Sequence, residues 1–536
     1  MNYMDVESSF FQAELKKRYN EINAVIDSLK LNTTNKIKFR KNKNIKSVTF
    51  SVLHQDIHRV ANWIIHSVPK GSMVIFYGDT SYEQFVLDLT CLKFGRETLV
   101  LPKSMSLDEL KSFLSLYNNP LLFCEDNLDT DLEHLTFESI LQSASSLLPI
   151  YDSTEAAPIE SGFYSACCSS GTTSISNSDT KIIRLPYFSF QKTTEAHYGN
   201  VSGGSILVWM SYSHFIQRVV AFEALALQFD LIISKPSYAY YDIKKFKPSF
   251  MVSAPHLYEM IANSILNRIE KLDRKNRRIL RMSDMFLNHK SLNKFKKRFL
   301  SLYLSRSIPE ISAFENADNF FWNGAPISID SIKVLTRFGI QIYGAYGISE
   351  IGQISSDCMH TYSPGSVGVP SRTVKISEYG EILIKVDENV RTYDSLNLTT
   401  DNYIKTSDYG HISKGNLFVT SRKDDVIILG NGKNINPHEV ETYFKRKLRT
   451  NYACLISGEN EDLIIILNNE FGEYIPDIVR NYNYTQRVHA SIRKVFLTKE
   501  LNENSKYITS SKKLKRKLIK KHYVDRVIQG ELLTIR

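Results

Sequence analysis

Cys168-Ser169-Ser170-Gly171-Thr172-Thr173-Ser174 sets small hydroxyl side chains around a glycine, directly after the apolar Gly162-Phe163-Tyr164-Ser165-Ala166. Such a loop can turn successive backbone N–H groups inward on phosphate oxygens, with the hydroxyls as added donors. Farther along, Asp408 lies in Tyr403-Ile404-Lys405-Thr406-Ser407-Asp408-Tyr409-Gly410 and Arg422 in Ser421-Arg422-Lys423-Asp424-Asp425. The glycine-rich Gly430-Asn431-Gly432-Lys433 follows. Vicinal ribose hydroxyls are donors that a carboxylate accepts well, and an arginine reaches ribose or phosphate with several donors. Each stretch alone has a plainer reading, as a linker, a turn or a solvated surface. Several in sequence are hard to obtain by accident.

The run from Tyr403 to Glu441 resembles the nucleotide-gripping and hinge segment of AMP-forming adenylating enzymes: acyl-CoA synthetases, carrier-loading adenylation domains and luciferases. The hydroxyl-rich loop resembles that family's phosphate loop. The family pattern continues with Gly-x-Pro-Lys, whereas Ser174-Ile175-Ser176-Asn177 stands here and a lysine comes only at Lys181. An insertion accounts for this and makes Lys181 the counterpart. Phe321-Trp322-Asn323-Gly324-Ala325-Pro326 and Gln341-Ile342-Tyr343-Gly344-Ala345-Tyr346-Gly347-Ile348-Ser349-Glu350 resemble the adenine-sandwiching turn and loop. The resemblance implies that Asn323, Gly324, Ala345 and Tyr346 hold the base, that Ser349 donates to the α-phosphate and that Glu350 carries Mg²⁺. A hard carboxylate suits that ion and a tyrosine ring suits a base face.

Tyr507-Ile508-Thr509-Ser510-Ser511-Lys512-Lys513-Leu514-Lys515-Arg516 resembles the C-terminal motif of fatty-acyl-CoA synthetases, and its spacing makes Lys513 the catalytic lysine. A compact ammonium can neutralise the carboxylate and phosphate oxygens as they approach. Trp209 to Arg218 resembles the acyl-pocket segment, with His214 as its gate. Amino-acid-activating members place an aspartate here to pair with the substrate ammonium; none is present, so a fatty or aryl acid is favoured. The cofactors implied are ATP, Mg²⁺ and a pantetheine thiol, either coenzyme A or that of an acyl carrier protein. Gly430, Gly432 and Lys433 would face the thiol after rotation about Asp424, the hinge. A non-catalytic, nucleotide-binding relative is the alternative of another class, against which the retained Glu350, Asp408, Arg422 and Lys513 speak.

Positioning these residues takes more than one core, and 536 residues suffice for two domains. Ser47 to Pro102 alternates strand and helix: a strand at Val48–Ser51, a helix over Asp56–Val68, a strand at Met73–Tyr77, a helix over Glu83–Phe94 and a strand at Thr98–Pro102. Similar strands recur at Ser205–Trp209, Leu231–Ser234, Phe250–Ser253 and Gln341–Tyr343. This predicts an α/β fold, a large N-terminal domain of packed mixed sheets flanked by helices (residues 1–421). After Gly365 come short alternating strands. A small mobile α+β domain spans 422–536, with a helix over Pro437–Leu448 and strands at Tyr452–Ile456 and Leu463–Leu467. Resemblance is weakest before Ser47.

The net charge is +10, much of it in the basic helical stretch Lys271 to Phe299. No aromatic-interleaved nucleic-acid module accompanies it, so nucleic acid is not an expected partner. Six scattered cysteines without metal-like spacing fit reduced thiols, and no apolar run is long enough to span a membrane. The beginning of the chain has no signal-peptide pattern, and a cytoplasmic protein is expected.

Overall fold

The computed structural model describes the chain apart from residues 1–15, 18, 42, 104, 152–162, 169–181, 187–203, 287–292, 318, 359, 387–398, 400, 424, 430–433, 459–461, 469–473, 486–490, 503–504, 509–513 and 535–536. Its first sheet has six strands, and the pairings among Val74–Tyr77, Thr98–Leu101, Leu121–Cys124, Leu135–Thr136 and Phe163–Cys168 are parallel. The sixth strand, Ile182–Pro186, pairs antiparallel with Phe163–Cys168 at the edge. Strands such as Val-Ile-Phe-Tyr at 74–77 are buried along their whole length, as parallel strands covered on both faces must be.

The second sheet has nine strands, with parallel Asp230–Ile233, Ser205–Val208, Phe250–Ser253, Asn319–Trp322 and Ile342–Ile348 at its centre. One hydrophobic cluster draws on both sheets, for instance Phe76 and Val100 from the first and Ile206 and Leu231 from the second. The helices Tyr82–Lys93 and Phe215–Ala226 contribute to it and are buried on almost every side. A buried charge on each finds the other: Arg218 Nε donates to Asp88 Oδ2 at 3.0 Å, and Arg218 Nη1 to Ser165 Oγ at 2.6 Å. A buried guanidinium needs such partners to offset its desolvation.

Beyond Gly365 a four-stranded antiparallel sheet forms from Val374–Ile376, Glu381–Lys385, Tyr403–Ser413 and Asn416–Arg422. The remaining chain builds its own sheet, Ala453–Ser457, Leu463–Asn468, Ile492–Thr498 and Glu531–Thr534, with the helix Pro437–Leu448 against it. The buried members of its two hydrophobic clusters all come from residue 427 onward.

The expected alternation is present, with shifted ends. The helix expected from Asp56 runs Phe50–Ser67 instead, because Thr49 caps it by accepting from Val52 N and Phe50 is fully buried. The strand Ile342–Ile348 extends well past Tyr343. The basic stretch becomes two helices, Arg274–Phe286 and Asn293–Leu304. The strand Lys36–Lys41 and the closing strand Glu531–Thr534 were not anticipated. Among the described residues, no helix is long and apolar enough to cross a membrane.

Candidate nucleotide site

The site forms where the central strands of the second sheet end, the place where open α/β sheets offer a crevice. Trp322 closes Asn319–Trp322 and pairs in parallel register with Gly344. Gly344 has to lack a side chain: a Cβ there would lie 2.1 Å from Ser366 O and 2.8 Å from Trp322 Cζ2. That close approach brings the turn Gly324-Ala325-Pro326 alongside Ala345, Tyr346, Ser349 and Glu350, and all of these line one cleft.

Thr406, Asp408, Ser421 and Arg422 form the opposite wall. Asp408 and Arg422 are cross-strand partners in the pair Tyr403–Ser413 with Asn416–Arg422. Ile404, Thr406 and Asp408 alternate along the buried face of their strand, which turns the carboxylate inward. Tyr346 donates its hydroxyl hydrogen to Asp408 Oδ2 at 2.7 Å, and burial beside that carboxylate raises the phenol well above its usual pKa. Arg422 Nε stands 3.2 Å from Asp408 Oδ1, yet its N–H is buried without an aligned acceptor. An uncommitted buried donor beside a carboxylate suits a polar ligand with both donors and acceptors.

The cavity between these walls measures about 140 Å³, below the roughly 300 Å³ at which small-molecule pockets begin. A whole nucleoside triphosphate such as ATP needs more room than these walls enclose. A flat backbone turn, an aromatic ring, a carboxylate for hydroxyl donors and a hard carboxylate at Glu350 are the groups that a magnesium nucleotide requires.

Of the residues singled out from the sequence, Gly324, Ala345, Tyr346, Ser349, Glu350, Asp408 and Arg422 are brought together here. Asn323 heads the turn, with its backbone N–H on Ser253 O at 3.0 Å, and is not among the lining residues. His214 is likewise outside the lining, at the N-cap of Phe215–Ala226. Ser169, Ser170, Gly171, Thr172, Thr173, Lys181, Asp424, Gly430, Gly432, Lys433 and Lys513 lie outside the described residues.

Cys168 pairs with Ile182 across the two strands that flank residues 169–181, and Ile183 lines the cleft. Cys167, just before that segment, has its thiol pushed up to about 12, chiefly by burial; the Glu350 charge adds to the rise, while a hydrogen bond with Ser349 opposes it. The strand Phe163–Cys168 therefore runs beside the Ser349-Glu350 pair near its end. Ile508 bridges Leu514, and Lys515 N donates to Tyr507 O at 2.8 Å, so both ends of the segment carrying Lys513 are pinned.

Several contributors escaped the sequence reading. Gln217 accepts from Trp209 N and Met210 N and donates to Val252 O, fixing the turn that presents His214. Thr406 could have been found from strand alternation two residues before Asp408. Arg516 is buried against Glu441 and donates to Leu455 O at 2.7 Å, anchoring the helix that follows Lys513. No sequence feature pairs residues 75 positions apart.

A family model described as "AMP-binding enzyme" matches residues 29–393. Long-chain-fatty-acid–CoA ligase FadD15 of Mycobacterium bovis is 23% identical over 432 residues, which cover 70% of this chain and 69% of that protein. Among solved structures, the adenylation domain of a carboxylate reductase from Mycobacterium chelonae superposes with a TM-score of 0.73 at 14% identity, covering 96% of this chain and 92% of that one. The o-succinylbenzoate CoA synthetase of Bacillus subtilis, in complex with its acyl-adenylate intermediate, gives 0.69 at 16% identity, over 92% of this chain and 97% of that one. The two structural likenesses establish a shared fold, that of the adenylating enzymes. With the matched model spanning well over half its length, the chain belongs to the AMP-binding enzyme family.

Proposed function

We propose that the chain activates a carboxylic acid with ATP and passes the acyl group to a pantetheine thiol, that of coenzyme A. The observation that carries this reading is the single cleft on which Tyr346, Ser349, Glu350, Asp408 and Arg422 converge. Asp408 and Arg422 hold the ribose, Tyr346 lies on the base, and Ser349 reaches the α-phosphate. Mg²⁺ on Glu350 would neutralise phosphate charge when bound.

In the first half-reaction a carboxylate oxygen of the acid bonds to the α-phosphorus. The bond from that phosphorus to the bridging oxygen breaks, releasing pyrophosphate and leaving acyl-AMP. Donors from Ser170, Thr172 and Thr173 offset the charge that gathers on the phosphates, and Lys181 serves the same loop. Lys513 orients the carboxylate, while His214 gates the acyl pocket. In the second half-reaction the thiol sulfur bonds to the acyl carbon, the bond to AMP breaks, and the thiol proton passes to solvent.

Two half-reactions at one carbonyl need Lys513 present and then removed. Residues 422–536 form the mobile domain that does this, turning about Asp424 and bringing Gly430, Gly432 and Lys433 toward the thiol. What supports a mobile seam is that two of its contacts, Arg446 with Asp330 and Arg449 with Glu270, are exposed ion pairs, beside the stacking of His256 on Tyr452. Such pairs are worth about 0–1 kcal/mol each, a small barrier to rotation. A fatty or aryl acid fits the absence of an aspartate between Trp209 and Arg218, and a cytoplasmic location suits ATP and coenzyme A.

Carboxylate-dependent pyrophosphate release, measured with Mg-ATP and no thiol across fatty, aryl and amino acids, tests the proposal. Release with one class names the substrate, and adding coenzyme A or an acyl carrier protein then decides the acceptor. Silence across the panel with ATP still bound would favour a non-catalytic nucleotide-binding relative.

A further inference from the structure

We propose that the helices Arg274–Phe286 and Asn293–Leu304 form a docking face for an anionic lipid surface. Residues 271–299 hold eleven lysines and arginines against two aspartates, so this one stretch of sequence carries +9 against the chain's net +10. On the first helix Arg274, Arg278, Arg281, Met282 and Met285 are exposed and recur every three or four residues, which places them on one outward stripe. On the second, Phe295, Arg298 and Leu302 do the same. Met285 and Leu302 are each 76% exposed and Phe295 63%.

The opposite faces are anchored. Leu280, Leu300 and Leu304 belong to the hydrophobic cluster that also holds Trp322 and Tyr346. The two acids are diverted from the outward stripe. Asp273 caps the first helix through Asn276 N at 2.7 Å. Asp284 joins the buried Lys296 at 3.2 Å and Arg337 at 2.7 Å. Among the described residues, no carboxylate pairs with Arg274, Arg278, Arg281 or Arg298.

A helix face that serves only solvent has no use for Met285, Phe295 and Leu302 at high exposure between arginines. Arginine and apolar side chains on one stripe suit an interface where guanidinium groups meet lipid phosphates and the apolar side chains enter the acyl boundary. A nucleic acid would satisfy the arginines but leave the methionines and leucine in water. The lipid surface follows from this arrangement and is independent of the nucleotide site.

Co-sedimentation of the full chain with phosphatidylcholine vesicles, with and without phosphatidylglycerol, tests this. We expect binding at least about tenfold tighter to the anionic vesicles, with the preference lost at molar salt, where the screening length falls to about 3 Å. The triple variant Arg274→Glu, Arg278→Glu, Arg281→Glu should bind about 100-fold more weakly. Met285→Glu with Leu302→Glu, both at exposed positions that spare the fold, should lose about tenfold or more. Circular dichroism and ATP binding should stay unchanged in both variants. Failure to sediment with anionic vesicles would overturn the proposal. So would undiminished binding by the Met285→Glu, Leu302→Glu variant, which would reassign the face to a soluble polyanion.

Discussion

The hydroxyl of Tyr346 donates to the carboxylate of Asp408 across 62 residues of sequence, at 2.7 Å and with both side chains buried. The bond ties the wall that would lie on a base to the wall that would accept ribose hydroxyls. Either half of the cleft therefore helps to orient the other.

Removing only the hydroxyl should matter little to the nucleotide. Tyr346→Phe keeps the ring, and its hydroxyl is committed to Asp408 rather than offered to a ligand, so ATP affinity by calorimetry should stay within about fivefold, or about 1 kcal/mol. Tyr346→Ala removes the stacking surface, worth about 1–3 kcal/mol, and should weaken ATP roughly 5- to 150-fold. Asp408→Ala should cost about as much, since hydrogen bonds to a charged group are worth about 1.5–3 kcal/mol. Unchanged affinity in both alanine variants would remove the nucleotide from this cleft.

Lys513→Ala should cut the rate of adenylate formation by about 10² to 10³, the usual loss of one electrostatic donor, while ATP binding stays nearly intact. Asp424→Pro should spare adenylation and impair thioester formation. Pyrophosphate release and acyl-thioester yield, measured side by side, separate the two. Normal adenylation by Lys513→Ala would sink the lysine assignment, and equal loss of both steps in Asp424→Pro would sink the hinge.

Ser407 stands where the related motif has glycine, and its φ of +60° lies in the left-handed region. The backbone is held there by Ser407 N donating to Glu381 Oε1 at 3.1 Å and Lys423 N donating to Ser407 O at 2.8 Å. An L-residue there carries about 1–2 kcal/mol of strain, partly offset by the extra chain entropy glycine loses on folding. Ser407→Gly should therefore stabilise by up to about 1 kcal/mol, visible as a thermal midpoint about 1–3 °C higher. A lower midpoint would refute the strain.

Burial, reinforced by the neighbouring His58, pushes His54 down to about 4; Lys93 and Lys30 act the same way, and Asp27 opposes them. Tyr151 stacks on its ring, and His58 is itself lowered by burial while its Nδ1 meets Ile150 O. As pH falls below about 6.5, the unfolded chain takes up this proton before the folded one does. Stability present above that value should thus be lost progressively down to about pH 4. Urea midpoints of the wild type should fall more steeply across this window than those of His54→Gln; parallel slopes would count against a buried neutral imidazole.

Much of the architecture was legible because hydrophobic periodicity is local. Runs such as Val74–Tyr77 and Phe250–Ser253 declare buried strands by composition, and Pro437–Leu448 carries its own cap and proline. Motif order alone pointed to Tyr346, Ser349, Glu350, Asp408 and Arg422 and to the chemistry that their side chains permit. The sequence could not say that Tyr346 would bond to Asp408, that Ser407 would be forced into left-handed backbone, or that Cys167 would lie beside Ser349 and Glu350. His214, expected at an acyl pocket, sits at the start of the helix Phe215–Ala226, and Asn323 heads the turn before Gly324; neither lines this cleft. Those outcomes depend on which strands become neighbours, and strand pairing joins residues tens to hundreds of positions apart through contacts that no local pattern encodes. Residue type and spacing determined the available chemistry; the stacking of two sheets and the register of Tyr403–Ser413 against Asn416–Arg422 decided which groups share one cleft.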